Sequence, residues 1–344
     1  MFLGFVFIFN IINSRDRLKK ALFAITLSGG IAGAIGVGQI FLFHYGAYIY
    51  KPLKTELNPF WHILDVILAK FIEYRILPHR FVEMLPRLMP IDINDRANST
   101  FSNPVFFACF MVMVLPFAIY CLFFLEDRLK KWISLACVIL ILGGVASSYS
   151  RGPYFAAAVV IFIAVFMGRK QAFKILAVIP FLLILMPSGV YKRLLTLLGK
   201  NDISINTRSD VWHACTEIIH KKWLFGLGPG VGNVREILSE QYAINQPHAH
   251  NIFLQLFLEG GIVGLALFTG FVVWLIVELV KFCLDSKEGR PLGVSLIACI
   301  FGLLTCGITD YVFYGPKILQ YFMMITGIAF AAKNIYKNKQ IDGH

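Results

Sequence analysis

The chain has 344 residues, 58% of them hydrophobic and only 15% charged, with a mean hydropathy of +0.70. Soluble domains hold roughly 45–50% apolar and about 25% charged residues, so this composition excludes a soluble globular protein and fits an all-α polytopic membrane protein. The net charge of +12 does not signal nucleic acid, because the bases sit in the loops between apolar runs, where they set orientation in membrane lipids and can meet an anionic ligand.

The first segment, MFLGFVFIFNII, is apolar but short, reaching only ~18 Å against a bilayer core of ~30 Å. It is a partial N-terminal span, and the chain is expected to begin inside a helix, as a truncated or mis-started gene would. No cleavable signal peptide is expected, since the first 13 residues lack a basic n-region. Eight runs long enough to cross a bilayer follow near 21–44, 104–125, 132–149, 153–168, 172–188, 252–280, 291–312 and 317–333. Residues 1–344 thus form a single membrane domain with two long loops, 45–103 and 189–250. Of seven cysteines, five lie in apolar runs, Cys283 flanks one and Cys215 stands in a loop; without a CxxC spacing, neither a disulfide framework nor a zinc site is indicated.

Alternate loops give the orientation. The short segments 15–20, 126–131, 168–174, 281–290 and 333–340 carry half of the 32 Lys and Arg residues. Most of the remainder lie in the two long loops, which translocate largely regardless of charge, so the short set is expected to be cytoplasmic. Two bases then remain on short outer loops, Arg151 and Lys317. The large outer loop 189–250 ends at His250, at the top of a span that descends inward.

The first outer loop contains FWHILDVILAKFIEYRIL, which predicts an amphipathic helix lying in the membrane interface. Arg151, in SSYSRGPYF, reads either as a snorkelling interfacial arginine or as a bidentate phosphate clamp. In the second long loop residues 209–220 predict a helix that Arg208 opens, with Lys192, Arg193 and Lys200 before it: a solvated basic face or an anion pocket. The glycines at 226, 228, 230 and 232 do not form GxGxxG and follow no strand, so they predict tight turns rather than a dinucleotide site.

His248, His250 and Asn251 precede the apolar run from 252. A histidine at a helix N-terminus is favoured in its neutral form, which suits either an interfacial anchor or a general base. Eleven residues on, Gly261 is expected on the same helix face as His250, and Gly260 with Gly264 make a GxxxG pair that predicts close approach of a neighbouring helix. Glu259 is the one acid expected deep in a span, ~13 Å of helix below His250. That scarcity of midplane charge argues against the alternative of a lipid or polysaccharide transporter. Apart from DIND at 92–95, no acidic metal-binding arrangement is seen on an outer loop, so no metal and no cofactor are expected.

Four stretches resemble the O-antigen ligase and polymerase family of bacterial membrane glycosyltransferases: His250-Asn251 followed after nine residues by Gly261-x-x-Gly264; Arg208-x3-Trp212 followed by GLGPGVGN; SSYSRG at 147–152; and DRANSTFSNPVFFA at 95–108. Together they cover 95–280, and TDYVFYGPKI, with Asp310, fits the tail. The resemblance implies a C-type glycosyltransferase-like fold in the bacterial inner membrane, with its site on the periplasmic face. It implies an undecaprenyl-diphosphate-linked glycan as donor and lipid A-core, or another lipid-linked glycan, as acceptor; polymerisation of O-antigen, exopolysaccharide or teichuronic acid is the alternative within the family. It further implies that Arg151 and Arg208 hold the diphosphate, with Arg193 an open alternative to Arg151. His250 would be the catalytic base, with His248, Asn251, Trp212, Asp310, Gly261 and Gly264 in support. Transfer would be inverting and metal-independent.

Overall fold

The computed structural model describes residues 2–50, 96–167 and 203–342. The expected span at 172–188, the interfacial stretch in the first long loop and Arg193 lie outside them. Every regular element among the described residues is helical: α1 (Phe2–Ile11), α2 (Arg15–Tyr50), α3 (Pro104–Phe124), α4 (Arg128–Ser147), α5 (Arg151–Ala164) with a 3₁₀ turn at Val165–Met167, α6 (Ile203–Lys222), α7 (Val231–Tyr242), α8 (Ile252–Asp285), α9 (Arg290–Thr309), a 3₁₀ turn at Val312–Tyr314, and α10 (Pro316–Asp342). Six of these, α2, α3, α4, α8, α9 and α10, are long and apolar enough to cross a membrane. The chain is therefore a multi-pass membrane protein.

Helix ends follow local chemistry. Asn103 caps α3 by accepting from the Val105 amide at 2.7 Å, with Pro104 at the first helical position, where its missing N–H costs nothing. Asp127 caps α4 through the amides of Leu129 and Lys130. Two expectations shift here. α2 stays helical to Tyr50, past the expected start of the first outer loop at 45, and the run expected to span from 153 is a 14-residue helix that tightens into a 3₁₀ turn.

α3 is the central helix, buried along nearly its whole length, with α2, α4, α5 and α9 packed around it and α8 against α9. Lipid offers no hydrophobic push between helices, so close contact depends on small residues: Gly33 of α2 sits against the Leu140 carbonyl of α4. The described connections sort into two ends. At one, Arg15 pairs with Glu288 and Lys19 lies 3.7 Å from Glu126. At the other, the Ala97 amide donates to Ser147, and Lys317 donates to the Thr100 carbonyl at 2.7 Å with its ammonium over the Phe101 ring. Lys317, unexpected on a short outer loop, thus ties the start of α10 to the approach of α3.

α8 departs most from expectation. Gly261 has φ 63° and ψ −163°, so the helix breaks there. Near the opposite end Phe282 and Cys283 lie against Gly293, and at the site end Ile252 lies against Gly307. α9 covers ~21 Å from Gly293 to Gly307, whereas a straight helix from Ile252 to Phe282 would extend ~45 Å. Residues 252–260 must therefore run across the end of the bundle, leaving 262–285 as the spanning half. This overturns one sequence expectation: Gly261 shares no continuous helix face with His250. Among the described residues, a Cβ at Gly260 would meet nothing within 4 Å and one at Gly264 only the Leu256 carbonyl at 3.6 Å.

The break is filled by main chain. Residues 223–228 lie against it, with Leu227 and Gly228 amides donating to the carbonyls of Leu258 (2.7 Å) and Glu259 (3.0 Å), and the Ile262 amide donating to Trp223 (2.8 Å). A Cβ at Gly261 would run into the Leu224 carbonyl. Around this docking point α6, α7 and the start of α8 bury a small separate core of Val211, Cys215, Ile218, Val234, Leu238 and Leu258. Cys215, expected in a loop, is fully buried there. Gly261→Ala combines positive-φ strain of about 1–3 kcal/mol with this clash, and should lower the thermal midpoint in detergent markedly. Gly260→Ala, whose Cβ would meet no described residue, should leave it within a degree or two; equal effects of the two substitutions would contradict the break.

Candidate functional site

The site is built where the start of α8, the end of α9 and the start of α5 meet. Asn251 caps α8, its side-chain oxygen accepting from the Phe253 (2.9 Å) and Leu254 (3.0 Å) amides, while its Nδ2 donates to the Ile308 carbonyl of α9 at 3.1 Å. One side chain therefore starts one helix and fixes it to the end of another. His250, immediately before the cap, has φ 50°, a left-handed backbone that few non-glycine residues adopt.

That backbone, together with the Asn251 brace, brings the His250 ring to Asp310, which terminates α9. Nδ1 of His250 lies 3.1 Å from Asp310 Oδ1, and the same oxygen accepts from the Tyr311 amide at 2.8 Å. His248 stands beside them, its Nδ1 3.8 Å from Asp310 Oδ1 and 3.3 Å from the His250 amide, which donates to it. Its ring meets those of His250, Tyr311 and Tyr314.

Asp310 is 4% exposed. Burial pushes its carboxyl up, but the His250 hydrogen bond and the charges of His250, His248 and Arg208 together outweigh this and hold it below the ordinary range. An ionised Asp310 accepts from His250 Nδ1–H, which leaves Nε2 as the nitrogen free to take a proton. Opposite Nε2, at 3.0 Å, is Gln246 Oε1. That amide serves both forms of the ring: its oxygen accepts from a protonated Nε2, and on rotation its NH₂ donates to a bare one.

The flanking elements are held by a second set of contacts. The Trp212 indole donates to the Ala249 carbonyl at 2.9 Å, fixing α6 against the His248–His250 turn. The Ala249 amide donates to Gln255 Oε1 (2.9 Å), Gln255 donates to Glu259 (2.7 Å), and Glu259 accepts from the Gly230 amide (3.2 Å). Glu259, expected deep in a span, thus belongs to the end of the bundle, because the break at Gly261 turns its segment aside. Arg208, on α6, lies close enough to act electrostatically on both His248 and Asp310. Gly152 packs against the side chain of Thr309, which sets Arg151 beside the α9 terminus.

The structure thus gathers His248, His250, Asn251, Asp310, Arg208 and Trp212 around one point, with Arg151 at its edge. Gly261 acts through the helix break, and Gly264 lies in the spanning half, away from the site. Three residues go beyond the sequence-derived set. Gln246 and Gln255 carried no signal beyond being polar within QPHAHNIFLQ. Arg96 stood in a motif stretch; its Nε donates to the Ser148 carbonyl (3.0 Å) and its NH2 to Ser150 Oγ (2.6 Å), bracing the turn that delivers Arg151. His248, His250 and Asp310 also place possible ligand atoms within 4.8 Å of one another. A divalent metal could use that donor set, but only by replacing the hydrogen bonds that join the three residues.

An all-helical, multi-pass membrane protein whose polar centre is a histidine–aspartate pair at one end of the bundle is the class that this geometry defines. Residues 135–269 match the family model of the O-antigen ligases, and the resemblance carried by the motifs is thereby shown for this stretch. It takes in Arg151, Arg208, Trp212, His248, His250, Asn251, Gly261 and Gly264. A search of curated proteins found no match.

Burial lowers the His248 imidazole from 6.5 to about 4; the Asp310 charge opposes this, and His250 and Arg208 add to it. The unfolded chain therefore binds more protons between these values. The stability linked to His248 is complete above ~6.5 and is lost as the pH falls towards ~4. The thermal midpoint of the wild type should drop across that window, and His248→Phe should flatten the drop; an unchanged slope would show that His248 titrates normally.

Proposed function

We propose that the protein is a glycosyltransferase of the O-antigen ligase type, with a C-type glycosyltransferase-like fold, working at the periplasmic face of the bacterial inner membrane. It moves a glycan from undecaprenyl diphosphate to lipid A-core. The observation that carries this reading is the His250–Asp310 contact at the bundle end, with the Arg208 charge acting on Asp310 and Arg151 next to Gly152, which packs on Thr309 at the α9 terminus. His250 and both arginines lie inside the stretch matched by the O-antigen ligases.

In this reading the acceptor hydroxyl takes the place of the Gln246 amide at His250 Nε2. The hydroxyl oxygen bonds to the anomeric carbon as its proton passes to Nε2, while Asp310 keeps Nδ1–H in place and stabilises the imidazolium. The anomeric carbon–oxygen bond to diphosphate breaks, its electron pair leaving with the diphosphate, so attack from the opposite face inverts the centre. Arg208 and Arg151 meet the released charge with planar, permanently charged forks; Arg193 is the alternative to Arg151. Arginine and histidine suffice for this scheme, which requires no metal.

The test is transfer of radiolabelled glycan from undecaprenyl diphosphate by protein in nanodiscs, with lipid A-core present. Label on lipid A-core supports the ligase, and label in longer lipid-linked glycan supports the polymerase instead. No transfer by the wild type to either acceptor overturns both. His250→Ala should lose about 10²–10⁴-fold of the rate, the usual range for a general base, with membrane insertion intact. Arg151→Lys and Arg208→Lys should fall severely, because lysine keeps the charge but not the fork. Asp310→Asn should lower the rate without removing the protein from the membrane.

A further inference from the structure

The segment joining α6 to the helix break reads His220-Lys221-Lys222-Trp223-Leu224-Phe225, and all six residues are exposed. Trp223 is 56% and Phe225 71% exposed, unusual for large apolar side chains in an aqueous layer that has its own buried core. Their position is fixed by main chain, since the Trp223 carbonyl accepts from the Ile262 amide and Leu224 lies on Gly261.

That docking point has a defined height. The spanning half of α8, residues 262–285, is ~36 Å long against a ~30 Å core, so Gly261 falls where hydrocarbon gives way to headgroups. Ile262, Val263 and Leu267 just beyond it are exposed apolar residues on α8, and the backbone bond from Ile262 to Trp223 sets the start of that stretch beside the aromatic tip. Directly before the aromatic tip come two lysines and a histidine. A cationic edge above an aromatic one is the charge and polarity profile of a membrane interface, where indole and phenyl rings settle at headgroup level and bases meet phosphate.

We propose that His220–Phe225 is a membrane-docking edge, with Trp223 and Phe225 inserted into the leaflet at the site end of the bundle and Lys221 and Lys222 held by anionic headgroups. The edge anchors α6 and α7, and with them Arg208 and Trp212, to the bilayer independently of any substrate. This is separate from the proposed transfer reaction and does not depend on it.

The test is spectroscopic and uses the full chain in nanodiscs of phosphatidylethanolamine and phosphatidylglycerol. Phe225→Cys is labelled with an environment-sensitive fluorophore, as is Ser239→Cys on the exposed face of α7, with the unsubstituted protein reporting labelling of native cysteines. Docking predicts that the probe at 225 is blue-shifted, quenched by lipid carrying a shallow spin label, and several-fold less sensitive to iodide than the probe at 239. Lys221→Gln with Lys222→Gln should weaken the lipid quenching, most in phosphatidylglycerol-rich discs. A probe at 225 quenched by iodide as strongly as the one at 239 overturns the proposal. So does a probe that neither quencher reaches, which would mean that protein, such as a second copy of the chain, covers the edge. If the labelled variant fails to fold, Trp223→Phe answers the same question through loss of lipid-quenchable tryptophan emission.

Discussion

The arrangement rests on satisfying backbone polar groups where a membrane helix is interrupted. Breaking α8 at Gly261 frees carbonyls and amides that hydrocarbon cannot solvate, and such groups persist only when protein supplies their partners. Residues 223–228 supply them, and glycine at 261 permits both the positive φ and the close approach of the Leu224 carbonyl. From that one docking the rest follows. The 252–260 segment is turned across the bundle end, α6 and α7 gain a fixed seat, and Glu259 comes within reach of the Gly230 amide.

At the site itself, position is set by helix ends rather than by long side chains. His250 precedes a helix and Asp310 follows one, and Asn251 binds both termini. Such a pair needs little reorganisation, because the atoms that place it are main-chain atoms in packed helices. Gln246 is the adaptable member, since an amide can face either protonation state of the imidazole without moving its backbone.

Much of this was legible in the sequence, for identifiable reasons. Apolar runs locate helices because only helices and barrels satisfy backbone in lipid, and Asn-Pro and His-Asn before such runs mark caps by ordinary N-terminal chemistry. The break at Gly261 was not legible from periodicity, because FLEGGIVG stays apolar and helical in pattern on both sides. Length held the clue: 34 residues exceed the ~20 that a span needs, and a Gly-Gly pair divides them. Misreading that break placed Glu259 in the membrane and put Gly261 on one helix face with His250. Gln246 and Gln255 escaped because their roles arise only when the turn before α8 folds back on nearby residues, whereas Arg96 stood in a motif stretch but its partners, Ser148 and Ser150, lie more than fifty residues on.

The contact between His250 and Asp310 also dates the birth of the site. Sixty residues separate the two, a broken helix, a turn and a complete further helix. During synthesis the histidine, its cap and the whole stretch matched to the O-antigen ligases emerge before α9 exists. A nascent or truncated chain ending before Asp310 holds the base without the carboxylate that orients it, and without the Ile308 carbonyl that Asn251 binds. The centre is thus absent until α9 has been made and inserted, whatever precedes it.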